Sequence, residues 1–252
     1  MKRDLPQAIP SILFPHLSFP QKPQNKIIFW AIIFPYILAA LSFGISLLFP
    51  EIKFQPQMEG MIAKLGANLP SESLAAMKDQ IASLGGFLPL IILGQSIIAG
   101  LTVNAIAAFG EEFFWRGFLL KQLAKFGWVR SSLIIGFIWG LWHAPLILQG
   151  HNYPQHPIIG VPMMIIWCTL LSFPLTYFVA KTKSVFTAAF FHGILNASAG
   201  FALLWVSNAS DLVAGVTGLS GFIALLILNS ILFFIDKKSS QKINYLLNDY
   251  QN

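Results

Sequence analysis

The sequence predicts an all-α integral membrane protein, a polytopic bundle of about six transmembrane helices. Of its 252 residues, 56% are hydrophobic and only 10% are charged, and the mean hydropathy is +0.68. A soluble domain carries roughly 25% charged residues, so the composition excludes an ordinary soluble protein. Crossing a hydrocarbon core takes about 20 residues. Six apolar blocks are candidates for such crossings: 27–49, 87–120, 131–149, 158–180, 184–206 and 212–235.

The second block, 87–120, is too long for one straight span. We expect it to tilt, to kink near Gly94, Gly100 or Gly110, or to divide into two pieces, which would give a seventh helix.

The one substantial loop on the side of the membrane opposite the two termini, 56–86, has apolar residues at helical spacing. The spacing predicts a short amphipathic helix, either lying on the membrane surface or packed on the bundle. The apolar residues are Leu74, Met77, Ile81 and Leu84.

The basic residues are distributed unequally between the two sides of the predicted bundle. Thirteen Lys and Arg residues fall in the segments of one side, and only Lys53, Lys64 and Lys78 fall on the other. The positive-inside rule therefore predicts that both termini are cytoplasmic, with six crossings. We expect an N-terminal arm over 1–26, one membrane domain over 27–235 and a tail over 236–252. The net charge of +6 follows this topology and does not indicate nucleic acid binding.

Glu111 and Glu112 are the only carboxylates inside the apolar blocks. A carboxylate at membrane depth costs at least about 2.5–3.5 kcal/mol, so we expect a function or a partner for each. His143, His192 and Asn196 lie inside later apolar blocks. At 1.5 Å per residue, Glu111 and these three residues come to lie ~12–18 Å from the same membrane face. The sequence therefore predicts one buried polar site.

These residue types allow peptide hydrolysis. Glu111 with His143 could polarise a water molecule, because a partly desolvated carboxylate is a useful general base. His192 and Asn196 share one helix face at i and i+4 and could donate hydrogen bonds to an oxyanion. Glu112 has the i, i+4 spacing of an ion pair with Arg116.

Other interpretations of the same residues stay open. Taken alone, the Glu112–Arg116 spacing favours an ordinary pair on a helix surface, and a single His143 or His192 favours packing. Intramembrane Glu and His side chains also suit a proton-coupled transporter, and a non-catalytic immunity or scaffold protein would keep the same fold. Two histidines and a glutamate can ligate zinc, so Glu111, His143 and His192 are the alternative metal set, although no dedicated metal motif is present.

Three motifs resemble those of the CPBP intramembrane proteases, the group that contains the type II CAAX prenyl endopeptidases and bacteriocin-processing or immunity relatives. Residues 111–116 match the motif EExxxR, and 192–196 match HxxxN. Residues 139–143 correspond to the motif FxxxH, with Trp139 in place of Phe and the aromatic character kept. The resemblance covers about 105–200.

The resemblance implies an intramembrane endopeptidase with a cavity open to the membrane and the cytoplasm. Glu111 would activate water with His143, Glu112 would pair with Arg116, and the two residues of the third motif would stabilise the oxyanion. The substrate would be a membrane protein or a lipid-modified peptide, with a prenylated C-terminus as one candidate. Family members are often labelled metalloproteases, whereas the better-understood ones resemble metal-independent glutamate enzymes. We therefore expect no cofactor, with zinc as the alternative.

Overall fold

A computed structural model describes residues 25–58, 62 and 70–251 of the chain. The predicted N-terminal arm, 1–26, thus lies almost entirely outside the described residues. The described residues are 79% helical, and their β-structure is one pair of two-residue strands. The predicted all-α class is confirmed.

The bundle is built from eleven α-helices, counted over the described residues, and some of them join through short 3₁₀ or π segments. The α-helices are α1 Asn25–Ser46, α2 Ser71–Leu84, α3 Leu88–Leu101, α4 Val103–Glu112, α5 Leu120–Leu123, α6 Gly127–Trp142, α7 Ala144–Leu148, α8 Pro157–Thr182, α9 Val185–Ser198, α10 Leu219–Lys238 and α11 Ile243–Gln251. The two strands, β1 Lys53–Phe54 and β2 Val206–Ser207, pair in antiparallel fashion.

Five helical segments of the described chain are long and apolar enough to cross a membrane. Their outer surfaces are rich in exposed large apolar side chains, such as Ile158 and Phe234. A soluble protein rarely exposes apolar surface on this scale, whereas a lipid-facing surface requires it. The chain is therefore an integral, multi-pass membrane protein. The five segments are Asn25–Ser46, Ser71–Leu101, Pro157–Thr182, Val185–Leu203 and Leu219–Lys238.

The long second block, 87–120, divides into two helices, which is one of the three expected alternatives. The break falls at Thr102, whose backbone (φ −118°, ψ −97°) is not helical, and separates α3 from α4. Directly after Glu112 the helix widens into a π-helix over Phe113–Leu119. Widened turns of this kind are frequent at functional sites.

The third block is interrupted at His143. Its first helix, α6, begins before the expected residue 131 and ends at Trp142, and the five-residue helix α7 follows. Pro145 lies in the first turn of α7, where a proline is tolerated because its missing N–H would have no partner in the helix. At 16 residues, α6 is about 24 Å long, which is shorter than a full crossing.

The last block begins later than expected, because residues 211–218 form a loop and α10 begins at Leu219. The apolar residues of this loop contribute to a small buried cluster. Ala214 is buried there with Ile52 and Val206, and Val213 packs against the cluster. Hydropathy alone does not separate such a buried loop from the start of a span.

The loop helix predicted between 56 and 86 is α2. It has no fully buried residue, and the four apolar residues that predicted it are half-buried. Together with a 3₁₀ turn at Gly85–Phe87, α2 continues into α3.

Glycines let the helices that carry the site approach one another closely. A Cβ on Gly136 would lie 2.3 Å from Cα of Thr169, and one on Gly140 would lie 2.4 Å from Cα of Ile165, so α6 packs directly on the backbone of α8. A Cβ on Gly193 would lie 2.3 Å from the carbonyl oxygen of Gly100. Small residues at helix interfaces in membranes permit this close approach.

Candidate active site

Glu111, His143, His192 and Asn196 line one cavity of about 330 Å³. They come from α4, from the α6–α7 junction and from α9. The structure thus brings these four residues together at one cavity, and their catalytic roles stay a prediction.

Glu111 is half-buried and lies at the wall of the cavity. Its Oε2 accepts a hydrogen bond from the indole Nε1–H of Trp139 at 2.9 Å. Phe at this position, as in the related motif, has no donor for this bond. The departure at Trp139 therefore changes the site and does more than keep the aromatic character.

Trp139 is the central side chain of the site. It is fully buried, and the guanidinium carbon of Arg116 lies 4.6 Å from the centroid of its ring. The rings of His143 and His192 lie 5.7 and 5.4 Å away, centroid to centroid, in edge-to-face arrangements. One indole therefore fixes the carboxylate, the cation and both imidazoles relative to one another.

Glu112 is fully buried beside the cavity and joins three helical segments. Its Oε1 accepts from Nη1 of Arg116 at 3.1 Å and from Nδ1 of His192 at 2.9 Å. Arg116, also fully buried, donates from Nη2 to the hydroxyl of Ser172 at 2.9 Å. The pair is thus not an ordinary surface pair, and the bond from Glu112 to His192 is an interaction that sequence reasoning missed.

His143 is oriented by its own helix. Its Nδ1 lies 2.9 Å from the carbonyl oxygen of Trp139, and a carbonyl only accepts, so Nδ1 carries a hydrogen. In the neutral ring Nε2 is then the basic nitrogen. The buried thiol of Cys168 lies 3.9 Å from the same Nδ1.

Asn196 is exposed within the cavity, and the described part of the chain supplies it with no hydrogen bond from another side chain. Sequence reasoning assigned nothing to three further lining residues, His151, Asn152 and Trp167. The indole nitrogen of Trp167 is buried and has no hydrogen-bond partner among the described residues. No periodicity or spacing in the sequence marked these three residues.

The described residues contain no group of three or more His, Cys, Asp or Glu side chains placed to hold a metal ion. Nδ1 of His143 donates to the carbonyl oxygen of Trp139, and Nδ1 of His192 donates to the carboxylate of Glu112.

Residues 93–198 match the sequence model of the type II CAAX prenyl endopeptidase Rce1-like family. This segment of the chain is therefore similar to an Rce1-like domain. All three motifs and every residue of the predicted site lie inside the matched segment. A curated relative, CAAX prenyl protease 2 of Methanococcus maripaludis, is 31% identical over 101 residues. That alignment covers 36% of this chain and 36% of the relative, so the chain spans about a third of the relative's length.

Proposed function

We propose that the chain is an intramembrane endopeptidase that hydrolyses a peptide bond of a membrane-embedded or lipid-modified protein. The observation that carries the proposal is the half-buried carboxylate of Glu111 at a cavity wall, hydrogen-bonded to Trp139, in a cavity shared with His143, His192 and Asn196. The similarity of residues 93–198 to an Rce1-like domain supports the same reaction class.

In the proposed reaction, Glu111 takes a proton from a water molecule as the water oxygen bonds to the scissile carbonyl carbon. The basic Nε2 of His143 accepts the second hydrogen of the same water and orients it. When the C–N bond of the tetrahedral intermediate breaks, the proton passes from Glu111 to the leaving nitrogen. Glu111 thus acts first as a base and then as an acid, and no other proton source is needed.

The oxyanion would be stabilised by His192 and Asn196. The amide of Asn196 donates in any state, but Nδ1 of His192 already donates to Glu112. Nε2 can therefore donate as well only when the ring is doubly protonated. The single buried carboxylate of Glu112 would then be shared between two cations, that ring and Arg116, which leaves a net positive charge beside the oxyanion.

The proposal is tested by a cleavage assay with the full chain in liposomes. Three fluorogenic substrates are compared: a farnesylated CAAX peptide, the same peptide without the lipid and an apolar transmembrane peptide. We expect Glu111→Gln to lower the rate by about 10²–10⁴-fold, the usual contribution of a general base, while the protein stays folded. Glu51→Gln, a change at an exposed glutamate far along the chain, is the matched control and leaves the rate unchanged.

Treatment with EDTA distinguishes the catalytic types. An unchanged rate supports the glutamate mechanism. A rate that falls with EDTA and returns with zinc would instead make Glu111, His143 and His192 metal ligands. Retained cleavage by Glu111→Gln refutes the general-base role. A folded wild-type protein that cleaves none of the three substrates favours the non-catalytic scaffold.

A further inference from the structure

A second cavity, the α2 cavity, has a volume of about 890 Å³ and lies between α2 and the rest of the bundle. Its walls come from α2, from the start of α3, from the segment that follows β1 and from Trp205, the residue before β2. Among the described residues it has no lining residue in common with the cavity of the candidate active site. Ligand pockets usually measure about 300–1,000 Å³, so the α2 cavity has room for a sizeable ligand.

One face of α2 forms a wall of this cavity. The residues of that face recur at the spacing i, i+4, i+7 and i+8, which places them on one side of a helix. They are Leu74, Lys78, Ile81 and Ala82. Another wall contains the buried side chains of Met58, Ile62 and Leu88. Since α2 itself has no buried residue, its apolar face borders a gap that the side chains of the described bundle do not fill.

The turn after α2 leaves part of the cavity wall without side chains. Gly85 has a φ of +46°, in the left-handed region that favours glycine, and it leads the chain from α2 toward α3. A Cβ on Gly85 or Gly86 would meet nothing within 4 Å. Phe87 and Leu90, which follow the turn, are 73% and 64% exposed. The cavity therefore lies beside an apolar surface that suits contact with lipid chains.

Lys78 is the one charged side chain among the described lining residues. It is exposed, and the described residues give it no carboxylate partner within ion-pair distance. A lysine at such a position lays its apolar stem along the wall and keeps its ammonium at the surface. The α2 cavity thus combines an apolar interior with a cation at its edge. This combination matches a ligand with an apolar chain and an anionic head.

Water is a poor occupant of the α2 cavity. An ordered buried water needs about two to four polar partners, and the polar side chains of the described lining are Gln57 and Lys78. An empty apolar cavity forfeits dispersion contacts along its walls. Because the chain is an integral membrane protein, lipid acyl chains are the apolar molecules that surround it.

We propose that the α2 cavity binds an anionic phospholipid, with an acyl chain along the apolar face of α2 and the phosphate beside Lys78. The lipid then completes the packing of α2 against the bundle. The cavity is separate from the candidate active site. Lipid binding here depends neither on peptide hydrolysis nor on which end of the bundle faces the cytoplasm.

Photolabelling tests the lipid directly. The full chain is placed in nanodiscs of phosphatidylcholine with a small share of phosphatidylglycerol whose acyl chain carries a diazirine, and the labelled residues are mapped by mass spectrometry after irradiation. We expect label on the lining of the α2 cavity that excess unlabelled phosphatidylglycerol removes and an equal addition of phosphatidylcholine does not. Absence of removable label from the lining, or equal removal by both lipids, overturns the proposal.

Two pairs of variants test the geometry. Ala82→Trp puts a large ring into the cavity from an exposed position of its wall, whereas Ala75→Trp puts the same ring on the same helix outside the lining. We expect Ala82→Trp to lose the removable label and Ala75→Trp to keep it. Lys78→Gln removes the cation and should raise the phosphatidylglycerol concentration for half-removal roughly fivefold, the usual effect of one lysine near an anionic surface. Lys53→Gln, at an exposed position outside the lining, should leave that concentration unchanged.

Size-exclusion profiles and thermal unfolding midpoints establish that each variant is folded. A folded Ala82→Trp protein that keeps the removable label refutes binding inside the α2 cavity. An unchanged half-removal concentration for Lys78→Gln, or the same shift for Lys53→Gln, refutes the pairing of the phosphate with Lys78.

Discussion

Trp139→Phe removes a single donor from the site and keeps most of the ring. The lost bond is the 2.9 Å contact from Nε1 of Trp139 to the carboxylate of Glu111. A hydrogen bond to a charged group contributes about 1.5–3 kcal/mol. If this energy holds Glu111 in its reactive position, the variant loses about 10–150-fold in rate, since 1.36 kcal/mol corresponds to a factor of ten.

The assay is the liposome cleavage assay, with kcat and KM measured separately. A carboxylate that is held for proton transfer affects the transition state, so we expect kcat and kcat/KM to fall together and KM to stay nearly constant. Trp142→Phe is the matched control. Trp142 lines the same cavity, is 52% exposed and has no indole N–H hydrogen bond within the described structure, so its loss should change the rate by less than about threefold.

A smaller ring at a fully buried position also leaves a gap, so thermal unfolding in detergent is recorded for both variants. A folded Trp139→Phe protein that keeps more than half of the wild-type kcat would refute the reasoning that the indole positions Glu111. A large rise in KM with unchanged kcat would assign Trp139 to substrate binding instead.

Two further substitutions test the packing that holds the site. Arg116→Ala removes the guanidinium that pairs with the buried carboxylate of Glu112, which costs about 3–5 kcal/mol. We therefore expect a lower folded yield and lost activity. Arg130→Ala, at an exposed position, is the control and leaves the yield unchanged. Gly136→Ala forces a Cβ to within 2.3 Å of the α8 backbone. Such overpacking costs about 1–3 kcal/mol of stability. Each kcal/mol lowers the thermal unfolding midpoint by about 2–4 °C, so the midpoint should fall measurably. Gly44→Ala, with nothing within 4 Å of the added carbon, should not lower it. A normal yield for Arg116→Ala, or equal midpoints for the two glycine variants, would contradict the respective contact.

The polar site was predictable from sequence because a charged or polar side chain in an apolar block is costly and therefore conspicuous. Glu111, His143, His192 and Asn196 were each found in this way, and their shared depth placed them in one cavity. Depth depends only on counting residues from a helix end, and a helix rises by a constant amount per residue.

The contacts between these residues were not predictable, because they depend on helix rotation. A span that is apolar on every face gives no periodic signal for the direction in which one side chain points. The bond from Trp139 to Glu111 and the bond from His192 to Glu112 both cross between helices. The sequence shows that Trp139 keeps the aromatic character of the second motif, but it does not show that the indole supplies the donor for the carboxylate.

The fold was predictable in class and less so in detail. The break at Thr102 falls close to one of the expected positions, Gly100. At Gly100 the backbone of α3 lies so close to Ile194 of α9 that no side chain fits. The π-helix over 113–119 and the buried loop over 211–218 gave no signal, since both are apolar stretches that hydropathy scores like any span.

The loops at the cavity mouth are cross-linked, and this constrains how a substrate arrives. Asp211 holds the loop before α8 through two bonds, and the hydroxyl of Tyr153 donates to the carbonyl of Thr217 at 2.6 Å. Burial raises the pKa of the Tyr153 phenol well above its usual range, so that donor persists at every physiological pH. Opening the mouth would break all three bonds at once, at about 1 kcal/mol or more each. A mouth of this kind works as a fixed frame. Under the proposed function, a lipid-borne substrate would then reach the half-exposed side of the cavity by two-dimensional diffusion through the lipid, with no gate to open.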